Sequence, residues 1–359
     1  MALTPTDRKD SAYRPDIDGL RALAILPVVF FHAFPQSIPG GFTGVDVFFV
    51  ISGFLISGII VRNLDRGIFN LVDFYSRRIL RIFPSLILVL SASLSFAWFG
   101  LFADEFQQVG KHAAAASGFI ANYVLWQESG YFDGSAEAKP LLHLWSLSIE
   151  EQFYILWPPL LILFWKKKSL RIAMTLLLLL VSLSLNLRGV HSDLIATFYA
   201  PQTRFWELLA GSLVAWLSSG HVLRSNSITN FQGFSPKIAE VASLTGLCLL
   251  IFSVAFINPK FSFPGFWALF PVMGAALLIG SRPDAFVNRK LLAYPLAIWV
   301  GQISYPLYLW HWPLLSFARI LEGGTPSPKV RLSAVFIALG LAWLTYHYIE
   351  RPIRFGRNK

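Results

Sequence analysis

Cysteine and charge are both scarce in this 359-residue sequence. The single cysteine, Cys248, cannot form an intramolecular disulfide, and it disfavours a cysteine-based metal site. Charged residues make up 14% of the chain, against about 25% in an average soluble domain. This shortage disfavours a soluble globular enzyme, a disordered chain and a disulfide-stabilised secreted scaffold.

Apolar and aromatic residues are abundant instead. They include 32 phenylalanines and 12 tryptophans, and the hydrophobic residues reach 55% of the chain, as is typical of a protein that contacts lipid. A net charge of +10 on a soluble protein would suggest a nucleic-acid partner. Here the positive residues fall between long apolar runs, so we predict a membrane protein and no nucleic-acid partner.

The apolar runs predict membrane-spanning helices, because about 20 apolar residues cross a hydrocarbon core of about 30 Å. We predict an all-α polytopic membrane protein with about ten transmembrane helices. The ten segments are roughly 19–35, 44–61, 82–102, 148–165, 170–186, 203–219, 238–257, 265–281, 296–318 and 332–350. An eleventh segment, roughly 106–126, carries Lys111, His112 and Asn122, and we expect it to be re-entrant or to lie on the outer face.

Positively charged loops predict the orientation, because lysine and arginine in short loops stay cytoplasmic. With ten spans and the N-terminus inside, most of these residues fall on the cytoplasmic side, including the cluster Lys166–Lys168. That cluster would lie outside if segment 106–126 also crossed. We therefore predict that both termini are cytoplasmic, that the polar N-terminus is not a signal peptide, and that residues 1–359 form one domain.

Ionisable residues inside a span are candidate functional groups, because each costs about 2.5 kcal/mol or more at the centre of the membrane. Arg21 lies near the inner end of the first span, and His32 follows eleven residues later, about 16 Å along a helix. His32 is a candidate general base, since imidazole titrates near neutral pH. The alternatives are a positive-inside anchor for Arg21 and an interfacial, hydrogen-bonded histidine for His32.

Asp46 lies near the outer end of the second span, at a depth similar to that of His32 if the two helices are antiparallel. We predict that this carboxylate orients the imidazole. Pairing with the helix macrodipole is the alternative. Gly53 and Ser57, four residues apart, indicate close helix packing.

Three arginines, Arg77, Arg78 and Arg81, precede the third span on its inner side. Arg78 and Arg81 are three residues apart and share one face of a helix. Guanidinium groups are suited to bind phosphate or pyrophosphate, whereas contact with anionic lipid is the alternative. Arginine rather than lysine at all three positions favours a phosphate-bearing ligand.

The entrance to the fourth span is unusually polar. His143, Ser146 and Glu150 are spaced to line one face of a helix, and Trp145 lies beside them. Glu151 points about 100° away from Glu150, so we expect only one of these carboxylates to face the bundle. Helix capping and dipole pairing are the alternative for Ser146 and Glu150.

Two further features fall within predicted spans. His311, in the outer part of the ninth span, is expected to join the same outer cavity, and Arg204 and Glu207 are expected to pair with each other. Histidines and carboxylates thus collect in the outer half of the bundle, with three arginines on the inner side. This placement suggests a phosphorylated donor from the cytoplasm and an acceptor from outside.

These motifs resemble those of the acyltransferase-3 family, polytopic membrane enzymes that acylate cell-surface carbohydrates and other acceptors. The resemblance covers the chain from about Tyr13 to Arg354. It rests on Asp18-Gly-Leu-Arg21 with ten residues before His32, Gly44 to Phe54, Arg78-x-x-Arg81, His143 to Phe153, Ser304 to His311 and Glu350-Arg-Pro352, all in order.

The resemblance implies transfer of an acyl group, commonly acetyl, from cytoplasmic acyl-CoA to a sugar hydroxyl, and no metal is expected. It implies that Arg21 and His32 are the essential pair and that Arg78 and Arg81 serve the donor. The full predicted site comprises His32, Arg21, Asp46 and Glu150 for catalysis; Arg78, Arg81 and Arg77 for the donor; and His143, Ser146, Trp145 and His311 around the acceptor.

We expect the acceptor to be a surface or exported carbohydrate, such as lipopolysaccharide O-antigen or exopolysaccharide, at the bacterial inner (cytoplasmic) membrane. Many relatives carry an extra span and an extracytoplasmic esterase-like domain, which we do not expect here, so a separate extracytoplasmic partner is compatible with the chain. The alternative function is a transporter or flippase for a glycan or acyl donor. The sequence offers no inverted repeat to support it.

Overall fold

The computed structural model describes residues 13–129, 136–222 and 235–356. Helices and their connecting turns make up these ranges, and no strand occurs in them. This confirms the predicted all-α fold.

The α-helices follow the apolar runs closely, and most begin a few residues before the predicted span. In chain order they are α1 (Pro15–Ala33), α2 (Gly44–Asp65), α3 (Leu71–Gly100), α4 (Ala103–Ser117), α5 (Ala121–Glu128), α6 (Leu144–Leu163), α7 (Lys168–Ser192), α8 (Leu194–Tyr199), α9 (Pro201–Val222), α10 (Pro236–Phe256), α11 (Leu269–Gly280), α12 (Pro295–Gln302), α13 (Ser304–Glu322), α14 (Pro328–Thr345) and α15 (Arg351–Phe355). Short 3-10 segments are Gly41–Thr43, Ala136–Ala138 and Gly265–Ala268, and π-helical turns are Val287–Leu292 and Tyr346–Glu350.

Five helical stretches of the described residues are long and apolar enough to cross a membrane. They are Gly41–Asp65, Leu71–Gly100, Ser169–Ser192, Pro236–Phe256 and Pro328–Phe355. The chain is therefore a polytopic membrane protein. The total of ten spans and their orientation stay predictions. The predicted spans outside this set include α1, α6, α9 and α13, because polar side chains reduce the hydropathy of these helices.

Segment 106–126 does not form one helix. It is divided between α4 and α5 at Gly118–Ile120, where Phe119 adopts a positive φ of 55°. The longer piece, α4, has 15 residues and is about 22 Å long, less than the membrane core. Neither piece alone spans the core, and the prediction that the segment does not cross stays a prediction.

The predicted ninth span, 296–318, is also divided, which corrects the prediction of one continuous helix. The helix α12 ends at Gln302, and α13 begins at Ser304. Pro306 explains the break, because it lacks the N–H that would bond the Gln302 carbonyl and its ring clashes with that carbonyl.

Close helix contacts bring the predicted site together. A side-chain carbon at Gly53 would lie 1.8 Å from the Leu208 carbonyl oxygen, and one at Gly211 would lie 2.0 Å from the Val50 carbonyl oxygen. These glycines let α2 and α9 approach backbone to backbone, as the small-residue spacing predicts. The helix α1 packs against α2, α12 and α13, and α13 also contacts α3.

Candidate active site

A cavity with about 830 Å³ of empty space lies between α1, α2, α3, α6 and α13. We refer to it as the central cavity. Its polar lining consists of Arg21, Ser52, Arg78, Arg81, Ser146, Glu150, Glu151, Tyr154, Ser304, Tyr305 and Tyr308. Three arginines facing two carboxylates leave an excess of positive charge when all five are ionised, which suits an anionic ligand.

The arginines of α3 lie on two different faces of the helix, one toward the cavity and one exposed. The side chain of Asn70 caps the helix by accepting a hydrogen bond from the Asp73 backbone N–H at 3.1 Å. Arg78, one turn before Arg81, lies in the central cavity with its guanidinium carbon 5.1 Å from the ring centre of Tyr154. Arg77 is exposed and pairs with Asp73, with its Nε donating to Oδ1 at 3.2 Å, so it does not line the cavity.

Arg21 reaches the central cavity from α1. Its Nη1 atom lies 3.5 Å from Oδ1 of Asp18, one turn earlier on the same helix. The ion pair restrains the guanidinium group, and the largely buried side chain lines the cavity beside the α3 arginines. The predicted Arg21 position and the predicted donor-side arginines thus share one cavity.

Both carboxylates of α6 line the central cavity, which corrects the prediction that only one of them faces the bundle. Glu150 accepts hydrogen bonds from the hydroxyls of Ser52 and Tyr154. Glu151 is buried, and its Oε1 atom has no hydrogen-bond partner among the described residues. The prediction failed because the cavity extends around α6 toward α2, α3 and α13 and is wider than one helix face.

Three histidines, two within helices and one immediately before α6, meet next to the cavity. We call His32, His143 and His311 the histidine cluster. The Nδ1 atom of His32 lies 2.9 Å from Nε2 of His311, and the two ring planes are within 15° of each other, with centres 5.2 Å apart. The ring of His143 lies 5.7 Å from that of His311, and both of its nitrogens are buried without a hydrogen-bond partner among the described residues. The predicted grouping of these histidines is therefore present in the structure.

Tyr308 connects the central cavity to the histidine cluster. It lines the cavity, and its ring centre lies 5.1 Å from that of His143 and 5.6 Å from that of His311. Its hydroxyl donates to the His143 carbonyl and lies 2.7 Å from the Ser146 hydroxyl. Tyr308 therefore belongs both to the lining of the cavity and to the surroundings of the histidine cluster.

Asp46 does not contact His32, so the prediction that it orients the imidazole is wrong. Its Oδ1 accepts from Arg204 at 2.9 Å, and Arg204 lies 3.1 Å from Glu207. All three side chains are buried, and the predicted pairing of Arg204 with Glu207 is confirmed. Trp145 belongs to this group too, because the Arg204 guanidinium lies 5.7 Å from its ring centre and it does not line the cavity.

Several cavity residues were absent from the sequence-based prediction. They are Ser52, Tyr154, Ser304, Tyr305 and Tyr308. The spacing of Tyr154, four residues after Glu150, is a signal that could have found it, because such residues meet on one helix face. Ser304 has a fully buried hydroxyl without a hydrogen-bond partner among the described residues, and only the three-dimensional structure reveals it.

Comparison with known proteins agrees with this arrangement. The sequence profile of the acyltransferase-3 family, described as an acyltransferase domain, matches residues 14–347. The match covers most of the described polytopic membrane fold. The chain belongs to the acyltransferase-3 family.

Three relatives illustrate the similarity. The chain is 33% identical over 355 residues to a putative peptidoglycan O-acetyltransferase, YrhL, of Bacillus subtilis, covering 95% of this chain and 55% of that protein. It is 30% identical over 369 residues to the peptidoglycan O-acetyltransferase OatA of Listeria monocytogenes, covering 97% and 57%. It is 32% identical over 351 residues to the O-acetyltransferase OatA of Staphylococcus aureus, covering 95% and 57%.

The chain thus spans a little more than half the length of these curated relatives. No solved structure matches it significantly.

Proposed function

We propose that the chain is a membrane O-acetyltransferase that moves an acetyl group from acetyl-CoA to a carbohydrate hydroxyl. The observation that carries this proposal is the contact, through Tyr308, between an arginine-lined cavity and a cluster of three histidines. One site suits a phosphorylated donor and the other suits the deprotonation of a hydroxyl. A transferase needs both within reach of one acyl group.

The donor is assigned to the central cavity. Coenzyme A carries a pyrophosphate and a further phosphate, and arginines bind phosphate oxygens through bidentate, charge-assisted hydrogen bonds. Arg78 and Arg81 share the cavity-facing side of α3, and Arg21 faces them from α1. Arg77 takes no part, since its guanidinium is exposed and paired with Asp73.

The general base is assigned to His32. In the reaction, the acceptor oxygen bonds to the thioester carbonyl carbon, and the carbon–sulfur bond breaks. The hydroxyl proton passes to a ring nitrogen of His32 and then to the departing thiolate, which leaves as the coenzyme A thiol. Transfer through an acyl-enzyme would share only the net balance, one ester formed and one thiol released.

The acceptor is assigned to peptidoglycan. Two of the relatives are named for O-acetylation of peptidoglycan, which favours this polymer over the lipopolysaccharide and exopolysaccharide acceptors suggested by the sequence alone. The same relatives come from bacteria, which supports location in a bacterial cytoplasmic membrane.

A comparison of two histidine variants tests the proposal. Purified protein in lipid nanodiscs is given labelled acetyl-CoA and a soluble peptidoglycan oligosaccharide, and labelled O-acetyl sugar is measured. We expect His32→Ala to lower the rate by about 10²- to 10⁴-fold, the usual contribution of a general base. His347→Ala is the matched control, because His347 is exposed and stacks on Trp343 away from the cluster, and it should keep its activity.

Two outcomes would contradict the proposal. One is His32→Ala protein that inserts normally and still acetylates the oligosaccharide at the original rate. The other is movement of unmodified glycan across a vesicle membrane without release of coenzyme A, which would favour a transporter.

A further inference from the structure

We propose that His311 is a positioning residue that fixes the tautomer of His32 and so leaves its Nε2 atom ready to accept a proton. This inference rests on the proposed function, in which His32 is the general base. It assigns His311 a task different from lining an acceptor cavity.

The hydrogen-bond chain begins at the carbonyl oxygen of Leu307, which lies 3.1 Å from Nδ1 of His311. A carbonyl oxygen can only accept, so Nδ1 of His311 carries the hydrogen. His311 is fully buried, and burial favours the uncharged ring. A neutral imidazole holds one hydrogen, so Nε2 of His311 is left as an acceptor.

The second link joins the two histidines. The acceptor Nε2 of His311 lies 2.9 Å from Nδ1 of His32, so Nδ1 of His32 must donate. In the neutral ring the lone pair is then on Nε2. That atom makes no hydrogen bond within residues 13–129, 136–222 and 235–356, and the His32 side chain is partly exposed. It is therefore the nitrogen that can take a proton from an acceptor.

Ring packing holds this geometry. The ring planes of His32 and His311 differ by only 15°, and the rings of Trp312 and His32 meet edge to face with their centres 4.5 Å apart. The indole N–H of Trp312 donates to the Lys139 carbonyl at 2.8 Å, so Trp312 is itself fixed. The imidazole of His32 has neighbours that limit its rotation as well as its tautomer.

His311 thus takes the place that a carboxylate has in a catalytic triad, where the third group orients the base. An imidazole does this without adding a charge to the bundle, where ionised groups are costly. When Nε2 of His32 accepts a proton, its Nδ1–H continues to donate to His311. No second proton transfer is required, and the imidazolium keeps a hydrogen-bond acceptor.

The test compares two amides at position 311. His311→Gln places its amide oxygen near the position of Nε2, where it can accept from His32. His311→Asn is one methylene shorter, so it reaches the Leu307 carbonyl but leaves the acceptor position empty. We expect kcat for oligosaccharide acetylation to fall about 100-fold or more in His311→Asn and to recover at least tenfold in His311→Gln. The KM for acetyl-CoA should stay unchanged in both.

A spectroscopic measurement reads the tautomer directly. Protein labelled with ¹⁵N histidine is studied by solid-state NMR in lipid bilayers, and the His32 signals are assigned by their loss in His32→Ala. We expect His32 to carry its hydrogen on Nδ1 in the unmodified chain and to become a tautomer mixture in His311→Asn. A predominant Nε2–H tautomer in the unmodified chain would overturn the inference.

Failure of this inference differs from failure of the proposed function. Equal loss of kcat in the Gln and Asn variants, or no loss in Asn, rejects the role of His311 while His32→Ala remains inactive. Activity of His32→Ala instead rejects the proposed function. The double variant His32→Ala with His311→Asn should be no slower than His32→Ala alone, because His311 acts through His32.

Discussion

The central cavity places three arginines opposite two carboxylates, whereas in the neighbouring histidine cluster His32 bonds to His311 and His311 bonds to a backbone carbonyl. The first is a charged site with space for a ligand. The second is a compact site that satisfies its polar atoms internally, except at His143 and at Nε2 of His32. Under the proposed function the two sites have different tasks: the charged site would bind the donor, and the uncharged imidazole nitrogen would accept the proton.

A third polar group clarifies the comparison. Asp46, Arg204 and Glu207 are charged like the cavity residues but lie in the packed core, with Arg204 surrounded by aromatic rings. They line no part of the central cavity. Intramembrane charge therefore marks a ligand site in one place and helix packing in another, and the space next to the charges distinguishes the two.

The largest expected effect comes from this packed group. Arg204→Met leaves the carboxylates of Asp46 and Glu207 buried without their partner, and breaking a buried ion pair costs about 3–5 kcal/mol. We expect a large fall in the thermal unfolding temperature in nanodiscs, with the KM for acetyl-CoA unchanged in the protein that remains folded. Arg188→Met, at an exposed position on α7, is the control and should unfold like the unmodified chain. A raised KM without a loss of stability would assign Arg204 to the donor site.

The next effect separates neighbouring arginines on one helix. Arg78→Ala removes a cavity-lining guanidinium, and charge-assisted hydrogen bonds contribute about 1.5–3 kcal/mol each. We expect the KM for acetyl-CoA to rise about 10- to 100-fold. Arg77→Ala removes the adjacent exposed guanidinium and should change the KM for acetyl-CoA by less than about threefold. Equal effects of the two substitutions would favour general attraction by positive charge over binding in the cavity.

A smaller effect distinguishes two buried serines. Ser304 and Ser85 are both fully buried with unpartnered hydroxyls, but only Ser304 lines the central cavity. Ser304→Ala should raise the KM for acetyl-CoA about 3- to 10-fold, the value of one neutral hydrogen bond of about 0.5–1.5 kcal/mol. Ser85→Ala should leave the KM unchanged. Neither should destabilise the protein, since each removes an unsatisfied polar group, and a KM effect of Ser85→Ala would argue against a specific role for Ser304.

The smallest effect lies outside both sites, at Glu128 in α5. Burial opposes ionisation, but hydrogen bonds from Lys111 and His112 and the charge of Lys139 lower the pKa of Glu128 from 4.5 to about 2. Because the folded-state pKa is depressed, its stabilising contribution is complete above about pH 4.5 and is lost as the pH falls toward 2. Thermal unfolding measured between pH 6 and pH 3 should therefore be less pH-dependent in Glu128→Gln. The same pH dependence of the unfolding temperature in the unmodified chain and in Glu128→Gln would contradict this role of Glu128.

Sequence spacing predicts which side chains share a face of one helix better than it predicts which side chains of different helices make contact. The i, i+3 spacing of Arg78 and Arg81 predicts their shared face, and depth along the spans predicts that His32 and His311 meet. Depth alone does not tell which way a helix is rotated about its axis. Asp46 lies at a depth that predicts contact with His32, but its side chain points to Arg204 on α9. The width of the cavity, which admits both Glu150 and Glu151, depends on the packing of several helices and is not encoded in one segment.

The break between α12 and α13 is a different case, since Pro306 was visible in the sequence. A proline in the first turn of a helix is tolerated, but it cannot bond to the carbonyl four residues before it. The apolar run from 296 to 318 masked this signal, because hydropathy measures partition into lipid and not the continuity of backbone hydrogen bonds. The position of the break matters, since it places Ser304 at the start of α13 and in the lining of the cavity.

Tyr308 has a consequence for the ion permeability of the membrane. In the predicted topology the cavity arginines of α3 lie toward the cytoplasm and the histidine cluster lies toward the outside, so a continuous water path between them would let protons leak. The hydroxyl of Tyr308 is hydrogen-bonded to the His143 carbonyl and contacts Ser146, and its ring lies against two histidines. We expect this side chain, which is fixed at its hydroxyl and at its ring, to restrict such a path and so to help the membrane keep its proton gradient.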